Sequence, residues 1–275
     1  MVRRISRRAV LRAALLGGAG AAAGVAAAPA VRSWCGWDRP PVSGGYAAAA
    51  DDLGVVAHPD VNIHYRGRTS EKLVAFTFDD GPAPHWTPAV LDVLDAAGAS
   101  ATFFMVGRNL ARHHRLVDGR LARHAIGNHS WSHPDLATLD QRQVYDELHR
   151  THEVIREHTG RTPEVFRPPF GHLGGSAVLA ADRMGYDIVL WSDEMHERSF
   201  GGDPQAQAKF IVDSVRPGSI VLAHDAGDDR RLITVDGLAA MIDGLRRRGF
   251  RLVTVPELLA ANQPAEPSGP ALALH

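Results

Sequence analysis

Between about residues 72 and 262, short apolar runs alternate along the chain with longer amphipathic stretches. Several of these runs are apolar at consecutive positions, which is typical of parallel strands that are covered on both faces. The runs that predict strands are residues 73–78, 101–106, 124–127, 164–166, 187–191, 219–223 and 250–255. Apolar residues at helical spacing predict helices over residues 87–97, 140–158, 175–184, 204–215 and 235–248.

Strand signals that alternate with helices favour an α/β fold built on a parallel sheet. We therefore predict a deformed (β/α) barrel with about seven parallel strands. A doubly wound open sheet is the alternative, because periodicity does not show whether a sheet closes. The helix at 140–158 illustrates the pattern, since Asp140 is a suitable N-cap and Gly160 a suitable terminator.

The first 30 residues resemble a twin-arginine export signal. Five arginines and no acidic residue, with Arg7 and Arg8 adjacent, precede an Ala/Gly-rich stretch at 13–28 and the small-residue site Ala28-Pro29-Ala30. We expect export to the extracellular, periplasmic or cell-wall space, with the membrane contacted only transiently through this signal. A transmembrane anchor is the alternative, but alanine and glycine make a weak bilayer span.

The segments on either side of the patterned region predict little regular structure. Residues 31–71 are turn-rich, and only 61–65 alternates like a strand, which indicates a linker that could include one edge strand. Prolines, serine and glycine interrupt residues 263–275, which we predict to be a disordered tail.

Composition and charge exclude several classes of protein. Apolar residues make up 45% of the chain and charged residues 22%, as in soluble globular proteins. Removing the five leader arginines from the 30 basic residues leaves 25 against 31 acidic ones, a net charge of −6. A protein of that charge has no general attraction to nucleic acid, so we expect no nucleic-acid partner. A single cysteine, Cys35, excludes an internal disulfide framework and a thiolate metal site.

Polar or ionisable side chains follow five of the predicted strands. In a parallel barrel these strand ends all open toward one side, where the βα loops begin. The residues are Asp79 and Asp80, His129, Arg167, an acidic cluster after Trp191, and His224 with Asp225. One such residue would indicate an ordinary cap or turn, but five on one rim indicate an active site.

The residue types on this rim suit a metal. His129 and His133 are four residues apart, which brings two imidazoles to the same side of a helical turn or a tight loop. With a carboxylate from another strand end, they predict a tetrahedral zinc site whose fourth position is open to water. Zn²⁺ is the expected ion, and Co²⁺ or Ni²⁺ suit the same ligands. In the pair Asp79-Asp80 one carboxylate can ligate while the other takes a proton, although Asp-Asp-Gly-Pro could also be a simple turn.

Four motifs, taken in order, resemble those of the polysaccharide deacetylases, the NodB-homology group of carbohydrate esterases. The motifs are Thr77-Phe78-Asp79-Asp80-Gly81-Pro82, His129-Ser130-Trp131-Ser132-His133, Arg167-Pro168-Pro169-Phe170-Gly171 and Leu222-Ala223-His224-Asp225. The resemblance covers residues 72–259 and assigns a domain of this family to 72–262. It implies a deformed (β/α) barrel that removes acetyl groups from N-acetylated sugars with one divalent metal.

The resemblance also implies a role for each motif residue. It makes Asp79 the general base, positioned by Arg167, and His224 the general acid. The implied metal ligands are Asp80, His129 and His133, and the implied oxyanion and acetyl contacts are the backbone N–H of Phe170 and the side chain of Leu222. Taken alone, His224 could be a core histidine and Arg167 a surface base paired with Glu164.

The chain departs from the family in one further motif, usually Asp-x-x-Asp-Trp. Here the aligned residues are Glu194, Glu197 and Arg198. A carboxylate beside the acid histidine raises its pKa and orients it, and we predict Glu197 for that position, with Glu194 second. The loss of the aromatic ring affects substrate preference more than the chemistry.

These observations predict an exported, metal-dependent de-N-acetylase that acts on a glycan, with peptidoglycan first and chitin-type oligomers second. An O-acetyl glycan esterase is the nearest alternative, since ester cleavage needs the same oxyanion support. A non-catalytic glycan-binding protein of the same fold is the second. The discriminating features are whether His224 has a carboxylate neighbour and whether Asp79 contacts Arg167.

Overall fold

The structure is a computed structural model, and it describes residues 61–262. The predicted export signal at 1–30, the predicted tail at 263–275 and the first 30 residues of the predicted linker lie outside the described residues. Within 61–262, no helix combines the length and the apolar content that a bilayer span requires.

The described residues form one curled parallel sheet surrounded by helices. Its strands are β1 (Ile63–His64), β2 (Leu73–Asp79), β3 (Thr102–Met105), β4 (Ala125–Asn128), β5 (Val165–Phe166), β6 (Asp187–Val189), β7 (Asp193–Glu194), β8 (Ser219–His224) and β9 (Arg251–Leu252). In space the order is β1-β6-β5-β4-β3-β2-β8-β7, and β9 pairs with β2. Every paired strand runs parallel to its neighbour.

Seven α-helices of the described region connect these strands. They are α1 (Trp86–Ala97), α2 (Gly107–His113), α3 (Gln141–Thr159), α4 (Gly175–Met184), α5 (Pro204–Ser214), α6 (Leu232–Arg247) and α7 (Val255–Ala260). Asp140 caps α3 through a side-chain hydrogen bond to the N–H of Gln143, and Gly160 ends it in the left-handed conformation. Both ends of α3 therefore follow the sequence signals.

The predicted deformed (β/α) barrel is confirmed as a sheet curled into a half-barrel. Each of the seven predicted runs contains a strand, and the short strands β1 and β7 add to them. One boundary was wrong, because the run at 250–255 was predicted to be strand throughout. β9 ends at Leu252, since the side chain of Thr254 accepts a hydrogen bond from the N–H of Glu257 and begins α7.

Strand β2 explains how the core positions the rim. All seven of its residues are buried, and successive side chains point to opposite faces. Val74, Phe76 and Phe78 pack outward in a cluster with residues of α1, α5 and α6. Leu73 and Ala75 pack inward with residues of α7. The same alternation turns Thr77 and Asp79 toward the inside of the curled sheet.

The segment after β1 draws the two ends of the sheet together. Arg66 forms an antiparallel bridge with Ser219 at the start of β8, and the N–H of Gly67 donates to the carbonyl of Gly218 at 2.8 Å. Gly218 has a φ of +83°, and a Cβ there would lie 2.1 Å from the carbonyl oxygen of Gly67. Glycine is therefore required for this close approach, which holds the segment after β1 against the amino end of β8.

Candidate active site

A cavity of about 420 Å³ opens at the carboxyl ends of the strands. It brings together most of the side chains that the sequence places at strand ends. Among its lining residues are Asp79, Asp80, His129, His133, Phe170, Glu194, Glu197, Arg198, Leu222 and His224. Arg167 lies beneath this surface and is fully buried.

Arg167 holds the carboxylate of Asp79 from below. Its Nη1 donates to Asp79 Oδ1 at 2.7 Å and to Thr77 Oγ1 at 2.7 Å. Its Nε and Nη2 donate to the backbone carbonyls of Val189 and Leu190, each at 3.0 Å. The geometry excludes the alternative of a surface arginine, and it leaves Oδ2 of Asp79 facing the cavity.

The surroundings of Arg167 explain how a buried cation is tolerated. Its guanidinium carbon lies 4.1 Å from the ring centroid of Phe104 and 5.7 Å from that of Trp191. Burial lowers the pKa of Arg167, and the charge and the hydrogen bond of Asp79 offset this lowering only in part. Pairing, hydrogen bonds and ring stacking therefore offset part of the desolvation cost of this buried charge.

Asp80, His129 and His133 are arranged as a group that could hold a metal ion. One ligand atom from each lies within 4.8 Å of the others. Oδ1 of Asp80 is 3.1 Å from Nε2 of His133 and 3.6 Å from Nε2 of His129. Burial alone would raise the pKa of Asp80, but its contacts with the two histidines hold that pKa well below the usual range.

The donor set fits a divalent metal. Two imidazoles and one carboxylate are the ligands of many catalytic zinc sites. Nδ1 of His129 donates to the backbone carbonyl of Arg167 at 2.7 Å, which fixes the ring and leaves Nε2 for a ligand. Such a hydrogen bond from the far ring nitrogen is a regular feature of metal-binding histidines.

A tight loop rather than a helical turn brings His129 and His133 together. Ser130 has a φ of +65° and His133 a φ of +59°, both in the left-handed region. Hydrogen bonds from main-chain N–H groups fix this loop, and the N–H of Ser130 donates to Oδ1 of Asn128 at 2.9 Å. The N–H of Ser132 donates to Glu147 at 2.8 Å, which ties the loop to α3.

Phe170 is placed at the cavity mouth by a strained backbone. Its φ of +61° lies in the left-handed region, where residues other than glycine cost energy. Such strain clusters at functional sites, because only a surrounding structure that over-determines the backbone maintains it. The ring is 58% exposed, and its centroid lies 4.7 Å from that of His133.

His224 has a carboxylate partner, and the partner is Glu197. Nδ1 of His224 lies 2.9 Å from Oε1 of Glu197. Burial by itself would lower the pKa of His224, but the hydrogen bond and the charge of Glu197 outweigh it and raise that pKa. Nε2 is then the ring nitrogen available to the cavity, where the mostly buried Leu222 also lies.

The other two residues of the departing motif face solvent. Glu194 lies in β7, and its carboxylate is 3.9 Å from Nδ1 of the half-exposed His196. Arg198 replaces the family's tryptophan in the cavity wall, and its Nη2 is 2.9 Å from Oδ2 of Asp228. The cavity wall therefore carries a charged pair at this position.

Three side chains in or beneath the site were given no individual role by the sequence. Thr77 accepts from Arg167 and donates to the carbonyl of Val221 at 2.8 Å. Asp225 accepts from the N–H of Gly81 at 3.0 Å, and burial raises its pKa to about 7. Arg231 donates to Oδ2 of Asp80 at 2.8 Å.

The sequence contains enough information to predict some of these residues but not all of them. Thr77 and Asp225 both lie within the motifs, and strand alternation places Thr77 on the same face of β2 as Asp79. Asp225 lies beyond the end of β8, and its carboxylate instead accepts a hydrogen bond from Thr87 of α1 at 2.6 Å. A Cβ on Gly81 would lie 2.1 Å from Oδ2 of Asp225, so the glycine and the aspartate fit together. Arg231 stands in a run of four charged residues, where the sequence does not distinguish the inward one.

The chain is similar in sequence and structure to known deacetylases. A family model described as polysaccharide deacetylase matches residues 66–189. The chain is 36% identical to a peptidoglycan-N-acetylglucosamine deacetylase of Bacillus cereus over 69% of this chain and 89% of that one. It is 32% identical to a chitooligosaccharide deacetylase of Bradyrhizobium sp., over 72% and 95% respectively. A solved peptidoglycan N-acetylglucosamine deacetylase, in complex with a substituted benzamide, matches with a TM-score of 0.69 and 29% identity, covering 74% of this chain and 94% of that one.

Proposed function

The chain belongs to the polysaccharide deacetylase family, and on this basis we propose that it is an exported, metal-dependent hydrolase that removes N-acetyl groups from a cell-wall glycan. One observation carries the proposal. The buried pair Asp79–Arg167, the group of three ligands and the pair His224–Glu197 all meet at one cavity. These are the features that separate a catalyst from a binding protein of the same fold.

Asp80, His129 and His133 are the residues that would hold the metal, with Zn²⁺ expected and Co²⁺ or Ni²⁺ as substitutes. A bound divalent ion supplies polarisation of the acetamide carbonyl and a lower pKa for the attacking water. The chain supplies the remaining groups, which take up, hold or deliver protons at defined atoms.

Asp79 is the general base. Oδ1 is held by Arg167 at 2.7 Å, so Oδ2 is the oxygen that accepts the proton of the attacking water. Oδ2 already lies 3.7 Å from Nε2 of the ligand His129, which places the base beside the metal group. Arg167 keeps the carboxylate oriented and balances its charge within a buried environment.

Phe170 and His224 assist the two remaining groups bonded to the acetyl carbon, the oxyanion and the leaving amine. The backbone N–H of Phe170 donates to the oxyanion of the tetrahedral intermediate, a contact worth roughly 3 kcal/mol in other hydrolases. Protonated His224 then donates from Nε2 to the leaving amine, which departs poorly without a proton. Glu197 keeps the ring charged and oriented, and Leu222 packs against the acetyl methyl group.

Peptidoglycan is the proposed substrate, and chitin-type oligomers come second. The first relative acts, by its name, on peptidoglycan N-acetylglucosamine, and the second on chitooligosaccharides. The twin-arginine pattern at 1–30 supports export to the compartment that contains peptidoglycan. The proposed domain at 72–262 then acts outside the cytoplasm.

Acetate release tests the proposal directly. The purified protein is offered peptidoglycan fragments, chitin oligomers and O-acetylated glycans, with and without a chelator, and acetate is measured enzymatically. We expect release from N-acetyl substrates, loss with chelator and recovery when Zn²⁺ or Co²⁺ is added back. Release from O-acetyl glycans alone would identify an esterase, and glycan binding without acetate would identify a non-catalytic member of the fold.

A further inference from the structure

Arg231 reaches the site from outside the four motifs. It belongs to a short 3-10 turn at Asp229–Arg231, between β8 and α6. Its Nη1 donates to Oδ2 of Asp80 at 2.8 Å and to the carbonyl of Ala226 at 2.8 Å. The side chain of Arg231 is 20% exposed, whereas that of the adjacent Arg230 is 68% exposed. Of these two neighbouring arginines, only Arg231 turns into the cavity.

The two oxygens of Asp80 therefore face different partners. Oδ1 faces Nε2 of His133 at 3.1 Å and Nε2 of His129 at 3.6 Å. Oδ2 is occupied by the guanidinium of Arg231. This division presents one oxygen, in one orientation, to the position between the two histidines.

The backbone of Asp80 needs such support. Its φ of +77° is in the left-handed region, which costs energy for a residue with a Cβ and persists only when the surroundings fix it. Nδ2 of Asn109 donates to the backbone carbonyl of Asp80 at 2.7 Å, which anchors the main chain. Arg231 is the corresponding anchor of the side chain.

The loop before Arg231 is shaped to deliver the guanidinium. Gly227 has a φ of +120°, and a Cβ there would lie 2.7 Å from Nη1 of Arg231. A larger residue at 227 would therefore push the guanidinium away. The N–H of Arg231 donates to the carbonyl of Asp228 at 3.0 Å, which closes the turn.

From these contacts we propose that Arg231 is a positioning residue, which occupies Oδ2 of Asp80 and so fixes Oδ1 as the single oxygen that this carboxylate offers to the metal. The inference rests on the proposed function, because it assumes that Asp80, His129 and His133 bind the ion. A planar guanidinium suits the task better than an ammonium group, since its donors have a fixed direction.

Positioning and simple electrostatics predict opposite results when Arg231 is removed. The loss of a positive charge beside the site would by itself tighten the binding of a cation. The loss of an outer partner that orients a ligand typically weakens metal affinity by about 10- to 100-fold. The sign of the change therefore distinguishes the two effects.

The experiment measures the Kd of the full chain for Co²⁺ and for Zn²⁺ by competition with a chromogenic chelator. The variants are Arg231→Met, Arg231→Lys and, as a matched control, Arg230→Met, with thermal unfolding of each recorded. We expect the Kd of R231M to rise at least tenfold, that of R231K to rise less, and that of R230M to equal the parent's. Should R231M fail to fold, Arg231→Gln takes its place under the same criterion.

A rise below tenfold, a tighter Kd, or an equal rise in R230M would overturn the positioning role. These results would leave the proposed function untouched, provided that the parent binds metal and releases acetate. A parent that binds neither ion would overturn both inferences. A parent that binds metal without releasing acetate would overturn the proposed function alone, since the Kd comparison would still decide the role of Arg231.

Discussion

The buried half of the cavity and its open half are constructed differently. The buried half consists of Asp79, Arg167 and His129, which stand on β2 or directly after β5 and β4 and are almost inaccessible to solvent. The open half consists of Arg198 and Arg231, which stand on the loops that follow β7 and β8 and remain partly exposed. Strand ends hold the proposed general base and its buried partner, and loops hold the two partly exposed arginines.

Substitutions in the two halves should therefore have different effects. A change beneath the rim alters a group with several buried partners, so its effects reach both the chemistry and the stability of the sheet. A change in the loops alters a partly solvated pair, whose contribution to stability is small. We therefore expect proton transfer to depend on the buried half, whereas substrate preference at Arg198 and metal affinity at Arg231 depend on the open half.

The largest effect is expected at Asp79. Asp79→Asn should lower kcat/KM for acetate release by about 10²- to 10⁴-fold, the range over which a general base contributes. An asparagine oxygen can still accept from Arg167, so the uptake of Zn²⁺ should remain stoichiometric. Steady-state kinetics and elemental analysis measure the two quantities. Unchanged turnover would remove Asp79 from the mechanism.

Arg167 should show the largest effect on stability. Arg167→Met leaves the buried Asp79 without its partner, which should lower the free energy of unfolding by about 3–5 kcal/mol. Urea denaturation at neutral pH measures the change. The matched control is Arg120→Met, because Arg120 bonds two carboxylates, Asp92 and Asp95, on the surface. That variant should lose only about 0–1 kcal/mol, and equal losses would contradict the contrast between buried and exposed pairs.

Substitution of Glu197 should shift the pH dependence of kcat rather than abolish activity. Its hydrogen bond and charge raise the pKa of His224 against the lowering effect of burial. In the proposed mechanism His224 acts in its protonated form, so kcat should fall as the pH rises through that raised pKa. Glu197→Gln removes the charge, so the pKa of His224 should fall and the basic limb of the kcat profile should move to lower pH.

A second carboxylate of the cavity provides the control for this shift. Glu194→Gln makes the same substitution three positions earlier, where the carboxylate faces His196 rather than His224. Profiles of kcat against pH for both variants and the parent form the comparison. If the basic limb stays in place in E197Q, or moves equally in E194Q, Glu197 does not set the pKa of His224.

The smallest effect is expected at Arg198. Arg198→Trp returns an aromatic ring to the cavity wall, and aromatic contacts contribute about 0.5–1.5 kcal/mol beyond simple burial. KM for chitin oligomers should fall about two- to tenfold while kcat stays unchanged. Arg230→Trp introduces the same ring at a position outside the cavity lining and should leave KM unchanged. A change in kcat in R198W would show that the open half takes part in the chemistry.

The sequence predicted the parts of the site that lie at the ends of strands, because strand periodicity marks where those strands are. Asp79, His129 and His224 follow apolar runs, and parallel strands bring such positions to one rim, so their meeting could be predicted. The short strand β7 was not predicted, because two polar residues carry no periodicity. The start of α7 was missed although Thr254 and Glu257 form a readable capping box, because the apolar run continued through Val255.

The site was less predictable where loops decide the contact. Glu197 was preferred over Glu194 only by alignment with the family, and no rule of local structure places its carboxylate beside His224. Arg231 was missed for the same reason, since the path of the loop after β8 decides which of two adjacent arginines reaches Asp80. Conformations with positive φ, as at Asp80 and Phe170, are set by tertiary contacts and leave little trace in the sequence.

Because Arg167 bridges two strands, the activity of a protein sample should depend on the fraction of its molecules that are correctly folded. The guanidinium touches β2 through Thr77 and Asp79 and the end of β6 through the carbonyls of Val189 and Leu190. A chain with these strands misaligned would lack the hydrogen bonds that keep Oδ2 of Asp79, the proposed base, turned toward the cavity. Specific activity, normalised to bound metal, therefore counts the correctly assembled molecules, and it can be used to follow refolding.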